Sequence, residues 1–240
     1  MKILLATYLI FCLNFINAQS FESGLKSYED NNYEDAVNTW KSLIDQGQKS
    51  ESIYYNIGNA YLQLKNYPEA IYYYNKALRL SPGSKDAEYN LKLAMQFNAI
   101  EETELQGWSI GSSLRSISNT TTILNYLVIF SILAILGIIA VKHLRTKYSS
   151  IVSKALFTGS LLVLVLAGMQ KLFNANHREA ILIYDSALYL SPDELSEKKI
   201  ELKPGEKIQI KDQIMEWSKI QTGNYEIGWI LANKYRELED

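Results

Sequence analysis

The chain has 240 residues, 48% of them apolar and 21% charged, with a formal net charge of −2. That balance excludes a disordered chain and offers no basic surface for nucleic acid. The length allows one large domain or two small ones, and the apolar residues are strongly segregated along it.

Residues Met1–Ala18 have the form of a secretory signal. Lys2 precedes an apolar run from Ile3 to Ile16, and Ala18 stands before a cut at Gln19. An uncleaved N-terminal anchor is the other reading of this run. Cys12, the single cysteine, lies inside it without the small residues that precede a lipoprotein cysteine. A cleaved chain has no cysteine, which removes disulfides, thiolate nucleophiles and Cys-based metal sites.

Residues 19–100 repeat themselves. Gly24 returns as Gly58, Tyr33 as Tyr67, Ala36 as Ala70, Trp40 as Tyr74 and Leu43 as Ala77, a spacing of 34 residues. These residue types at this period resemble the tetratricopeptide repeat, a helix–turn–helix unit that stacks on its neighbours. The resemblance implies an array that binds other proteins along a concave face and carries no chemistry. Helices are expected over 21–31 and 33–46 in the first repeat. The second repeat spans 53–85, with Tyr67-Pro68 opening its second helix and Pro82 closing it. Gly58 and Ala70 are small where the two helices cross, and Tyr61 and Tyr74 fill the space around them. Residues 86–96 lack this Gly/Ala pair and read as a closing helix. The expected concave positions are Phe21, Leu25 and Tyr28, then Tyr55, Asn59, Leu62 and Gln63. Tyr and Asn suit peptide backbones, because Asn both donates and accepts. Plain packing against the next helix is the other reading of these side chains.

Residues 101–121 form either a juxtamembrane linker or an interfacial helix with Trp108, Ile110, Leu114 and Ile117 on one face. Two apolar runs follow, expected as transmembrane helices at 122–141 and 151–173; a buried core hairpin is the other reading. Lys154 and Lys171 bracket the second and can snorkel. The loop at 142–150 carries Lys142, Arg145 and Lys147 and no acidic residue, whereas Glu101, Glu102 and Glu104 precede the first run. The positive-inside rule places that loop in the cytoplasm and both flanks outside.

From 176 to 240 the apolar period changes to 2. Strands are expected at 179–183, 186–189, 199–210 (after an initial turn), 215–220 and 226–230, with Thr222-Gly223-Asn224 as the last hairpin turn. The order of Ala180-Ile181-Leu182, Leu202-Lys203-Pro204-Gly205-Glu206, Glu216-Trp217-Ser218-Lys219-Ile220 and Gly228-Trp229-Ile230 resembles the bacterial SH3-like domain. Barrels of this type bind peptides or cell-wall material. Trp217, Tyr225 and Trp229 are its groove candidates; the alternative is that the tryptophans fill the barrel core.

No chemistry is legible. His143 and His177 are the two histidines and lie far apart, and no cluster has metal-ligand spacing. No phosphate loop or nucleophile elbow is present. The chain is therefore read as not an enzyme, with no catalytic residue, no metal and no cofactor.

A signal, helical repeats, two apolar spans and an SH3-like tail together resemble the BatE-like proteins of the Bacteroides aerotolerance operon. The expected fold class is a multidomain membrane protein with a tetratricopeptide array, a two-helix transmembrane hairpin and a small all-β SH3-like barrel. The resemblance implies the bacterial inner membrane, with both soluble domains in the periplasm. It also implies protein partners that include von Willebrand factor A-type and other membrane proteins of the operon. The expected function is a membrane-anchored periplasmic scaffold in an aerotolerance or envelope-stress complex. The alternative is an envelope sensor whose SH3-like domain binds peptidoglycan or peptides.

Overall fold

The computed structural model describes residues 20–100 and 178–238 and, between them, helical positions at 127, 130–132, 134, 135, 137, 139, 158 and 159. The chain divides into two compact units, one formed by Met1–Leu105 with Glu179–Asp240 and the other by Gln106–Arg178. The fold class expected from the sequence needs correction at the membrane. Among the described residues no helix is long and apolar enough to cross a bilayer. The longest of the five helices in the first unit has 14 residues, about 21 Å, against the roughly 20 apolar residues a span needs. The two-helix transmembrane hairpin is therefore withdrawn from the fold class, leaving a helical array and an antiparallel sheet. The expected signal (1–18), linker (101–121), cytoplasmic loop (142–150) and most of the two apolar runs lie outside the described residues.

The first unit opens with five helices: α1 (20–29), α2 (Tyr33–Asp45), α3 (Glu51–Gln63), α4 (Tyr67–Leu80) and α5 (Lys85–Phe97). The Ser50 side chain accepts from the Ile53 N–H and starts α3, and Asn66 does the same for α4 with Pro68 in its first turn. The glycines mark the closest helix crossings. A Cβ on Gly24 would lie 2.3 Å from the Trp40 indole, and one on Gly58 would lie 2.7 Å from the Tyr74 ring. Trp40, Leu43, Tyr54, Ile57 and Tyr74 are fully closed to solvent around these crossings, each contributing about 1.5–3 kcal/mol by burial.

The repeat extends one helix further than its residue types show. Asn31, Lys65 and Ala99 follow α1, α3 and α5, each in the left-handed region with φ of 62°, 57° and 51°. In each case the next N–H bonds back across the turn, from Asn32 to Ser27 O, Asn66 to Tyr61 O and Ile100 to Met95 O. The positions are 34 residues apart, so α5 ends as an inner helix of a third unit would.

Seven strands follow: β1 (Arg178–Leu182), β2 (Ser186–Tyr189), β3 (Lys198–Leu202), β4 (Lys207–Ile214), β5 (Trp217–Thr222), β6 (Ile227–Leu231) and β7 (Tyr235–Glu237). They form one sheet in the order β3-β2-β6-β5-β4-β1-β7. Five strands were expected; β3 and β7 are the additions. The sheet's own core is Leu182, Leu188, Leu202, Ile208, Ile210, Ile220 and Ile230.

The edge formed by β1 and β7 packs on α4. Ile181 and Leu238 belong to the core of the helices, not to that of the sheet. The Tyr72 hydroxyl donates to Glu237 O at 3.1 Å, and the turn at Gly205 (φ 91°) comes close to Ile71, Asn98 and Ile100. There the Asn98 amide donates to Pro204 O at 2.6 Å. A side chain at Gly205 would collide with all three neighbours.

Candidate functional site

The seven residues expected to bind along the array divide into packing and polar groups. Phe21, Leu25 and Leu62 are half-buried against the helical core. Phe21 is further fixed by Trp40, whose ring lies 6.2 Å away and whose Nε1–H donates to Phe21 O at 3.2 Å. The polar group spans the three inner helices. Tyr28 on α1 lies against Trp40 and Tyr33; burial raises its hydroxyl pKa above the ordinary value, and the neighbouring Gln63 side chain of α3 works against the rise. Asn59 on α3 accepts at Oδ1 from the Tyr74 hydroxyl (2.7 Å) and from Asn90 Nδ2 on α5 (2.9 Å). Asn90 also donates to the Tyr55 hydroxyl at 3.2 Å.

This network fixes what the strip presents. With Oδ1 of Asn59 occupied by two donors, its N–H2 group is what remains for a ligand. Tyr55, whose oxygen accepts from Asn90, retains its O–H. Both are donors, suited to carbonyl oxygens of an extended chain. No Lys or Arg is among these positions. Asn90 was not singled out from the sequence, yet it stands 34 residues after Asn56, and that register is the signal that finds it.

The groove candidates of the sheet lie on its outer face. Trp229 pairs with Lys219 and Tyr189, and Trp217 pairs with Leu231. Residues directly opposite, or two apart on a strand, share a face, so these side chains point away from the core built on Leu188, Ile220 and Ile230. Trp217 is buried against Tyr189, edge to face at 5.4 Å, and the Lys219 ammonium stands 6.0 Å from the half-buried Trp229 ring. Tyr225 is apart from this group, exposed in the β5–β6 turn with φ 64°. Tyr189 and Lys219 are the members that pattern reading omitted. Among the described residues no group of three His, Cys, Asp or Glu side chains is placed to hold a metal ion.

A family model, the tetratricopeptide repeat, matches residues 52–84, which hold α3 and α4. No curated protein matches the chain. The match covers the second repeat of the array, and it marks this part of the chain as a protein-interaction module of a type that is typically non-catalytic.

Proposed function

We propose that the chain is a non-enzymatic scaffold that holds partner proteins along the inner helices of its array. The observation that carries this reading is the hydrogen-bonded strip Tyr55, Asn59 and Asn90 across α3 and α5, with Tyr28 and Gln63 beside it. On this reading the chain is exported by its N-terminal apolar run and works on the periplasmic side of the bacterial inner membrane. Its partners are von Willebrand factor A-type and other membrane proteins of an aerotolerance or envelope-stress complex. This part rests on the order of sequence features and not on the strip.

The test is affinity capture of the full chain from gently solubilised membranes, comparing the natural protein with Tyr55→Ala/Asn59→Ala. The variant should lose its co-purifying proteins on the order of tenfold while keeping its helical circular dichroism. Undiminished capture by a folded variant overturns the reading. A second reading, recognition of peptides or peptidoglycan by the sheet, is favoured by the Tyr189–Trp217–Trp229 face. It expects the full chain to sediment with purified sacculi and Trp229→Ala to abolish sedimentation.

A further inference from the structure

Beside the buried Ile181 and Leu238, the joint between α4 and the sheet carries a row of polar side chains. Glu69, Tyr72, Lys76 and Arg79 follow one another at spacings of three and four residues, so they lie in one row on the helix, and every one of them meets the β1–β7 edge. Glu69 takes both nitrogens of the Arg236 guanidinium, at 2.7 and 2.8 Å, with the Tyr72 ring 4.8 Å from that guanidinium. Lys76 Nζ points at Leu238 O at 3.4 Å. Glu179 Oε2 on β1 receives Arg79 at 3.2 Å and Lys207 of β4 at 3.3 Å. The two carboxylate side chains are 10% and 5% exposed.

Among the described residues, then, two nearly closed carboxylates face Arg236, Arg79 and Lys207, with Tyr73 beside Glu69 and Lys76 in the same row. Ionised, each carboxylate bridges helix and sheet. Protonated, each loses the charge that makes it a partner. Arg236 is left half-buried without its counter-charge, and Arg79 and Lys207, which share one oxygen, become neighbouring like charges. Removing one member of such a pair costs more than the pair contributes when intact.

We propose that this row is an acid-operated latch: protonating Glu69 and Glu179 frees the β1–β7 edge from α4, while array and sheet each keep their own fold. It goes beyond the scaffold reading and depends on no partner.

The test is hydroxyl-radical footprinting by mass spectrometry on the full chain, along a pH series falling from neutral to about pH 3. The reporters are the side chains of Tyr72 and Leu238, which are closed to solvent at the seam; the backbone of β7 stays paired with β1 in the released state and would not report it. Their labelling should rise on the order of tenfold in acid, with Ile57 of the array core and Ile220 of the sheet core unchanged. Glu69→Gln/Glu179→Gln, which keeps the side-chain volumes, should show the acid pattern already at neutral pH and lose its pH dependence. Equal labelling of Tyr72 and Leu238 across the series overturns the proposal, as does a double variant labelled like the natural chain. Simultaneous labelling of Ile57 or Ile220, in acid or in the variant, also overturns it, because the seam would then belong to the global fold.

Discussion

Three consecutive tyrosines on α4 do three different things. Successive helical residues turn by about 100°, so Tyr72 meets the sheet, Tyr73 stacks on Tyr61 at 5.6 Å, and Tyr74 fills the space over Gly58. Burial pushes the Tyr73 and Tyr74 hydroxyls well above the ordinary tyrosine range. The sign of the consequence is fixed. These hydroxyls stay protonated in the fold and ionise near pH 10 once unfolded, so the stability they support is whole below about pH 10 and declines above it. Urea denaturation between about pH 8 and 11 should show that decline, shallower in Tyr73→Phe. Gly58→Ala should cost about 1–3 kcal/mol, because the new methyl meets a ring that has no room to move; the urea midpoint reads it. The 34-residue register made Gly24, Gly58, Trp40 and Tyr74 legible as crossing points, since each pair lies within one repeat.

Element ends tell a complementary story. Lys65 sits left-handed at the end of α3, where a side chain costs about 1 kcal/mol or more relative to glycine. Lys65→Gly should therefore raise stability by about 1 kcal/mol, read from the same midpoint. The Glu69–Arg236 pair belongs to this scale too. Burial pulls the Arg236 pKa down, but the Glu69 charge and hydrogen bonds outweigh it and leave it raised. With the Arg236 side chain 38% exposed, a double-mutant cycle with Glu69→Gln and Arg236→Gln should give a coupling of about 1–2 kcal/mol. A coupling near zero would make the pair incidental. The strands that pattern reading lost are those without an alternating face. β3 is exposed at four of its five positions, and β7 is a three-residue strand, half-buried throughout, whose contacts are with β1 and a helix more than 160 residues away.

On the scale of the whole molecule, the helices and most strands were legible because their signals are local, whereas the joint between them was not. Glu69, Lys76 and Arg79 look like the solvated side of an amphipathic helix, and Glu29, Asp30, Glu34 and Asp35 do lie exposed on such surfaces. Nothing short-range tells the two cases apart. The same joint hides why Leu238 and Ile181 are apolar: they complete the core of the helices. A chain ending at residue 177 should consequently lose about 2–4 kcal/mol of stability in its array, seen as a lower thermal midpoint by circular dichroism at 222 nm.

The row on α4 also has a mechanical meaning. Its contacts with Arg236, Glu237, Leu238 and Glu179 are arranged side by side along the helix axis. A pull parallel to that axis loads them together, in shear, and each carries a share of the force. A pull perpendicular to it, applied at one end of the helix, loads them singly, like a peeled strip. A tether attached at the two ends of the row would therefore resist greater force than one attached across it, and the direction of loading would decide whether tension on a partner reaches the sheet or stops at the helices.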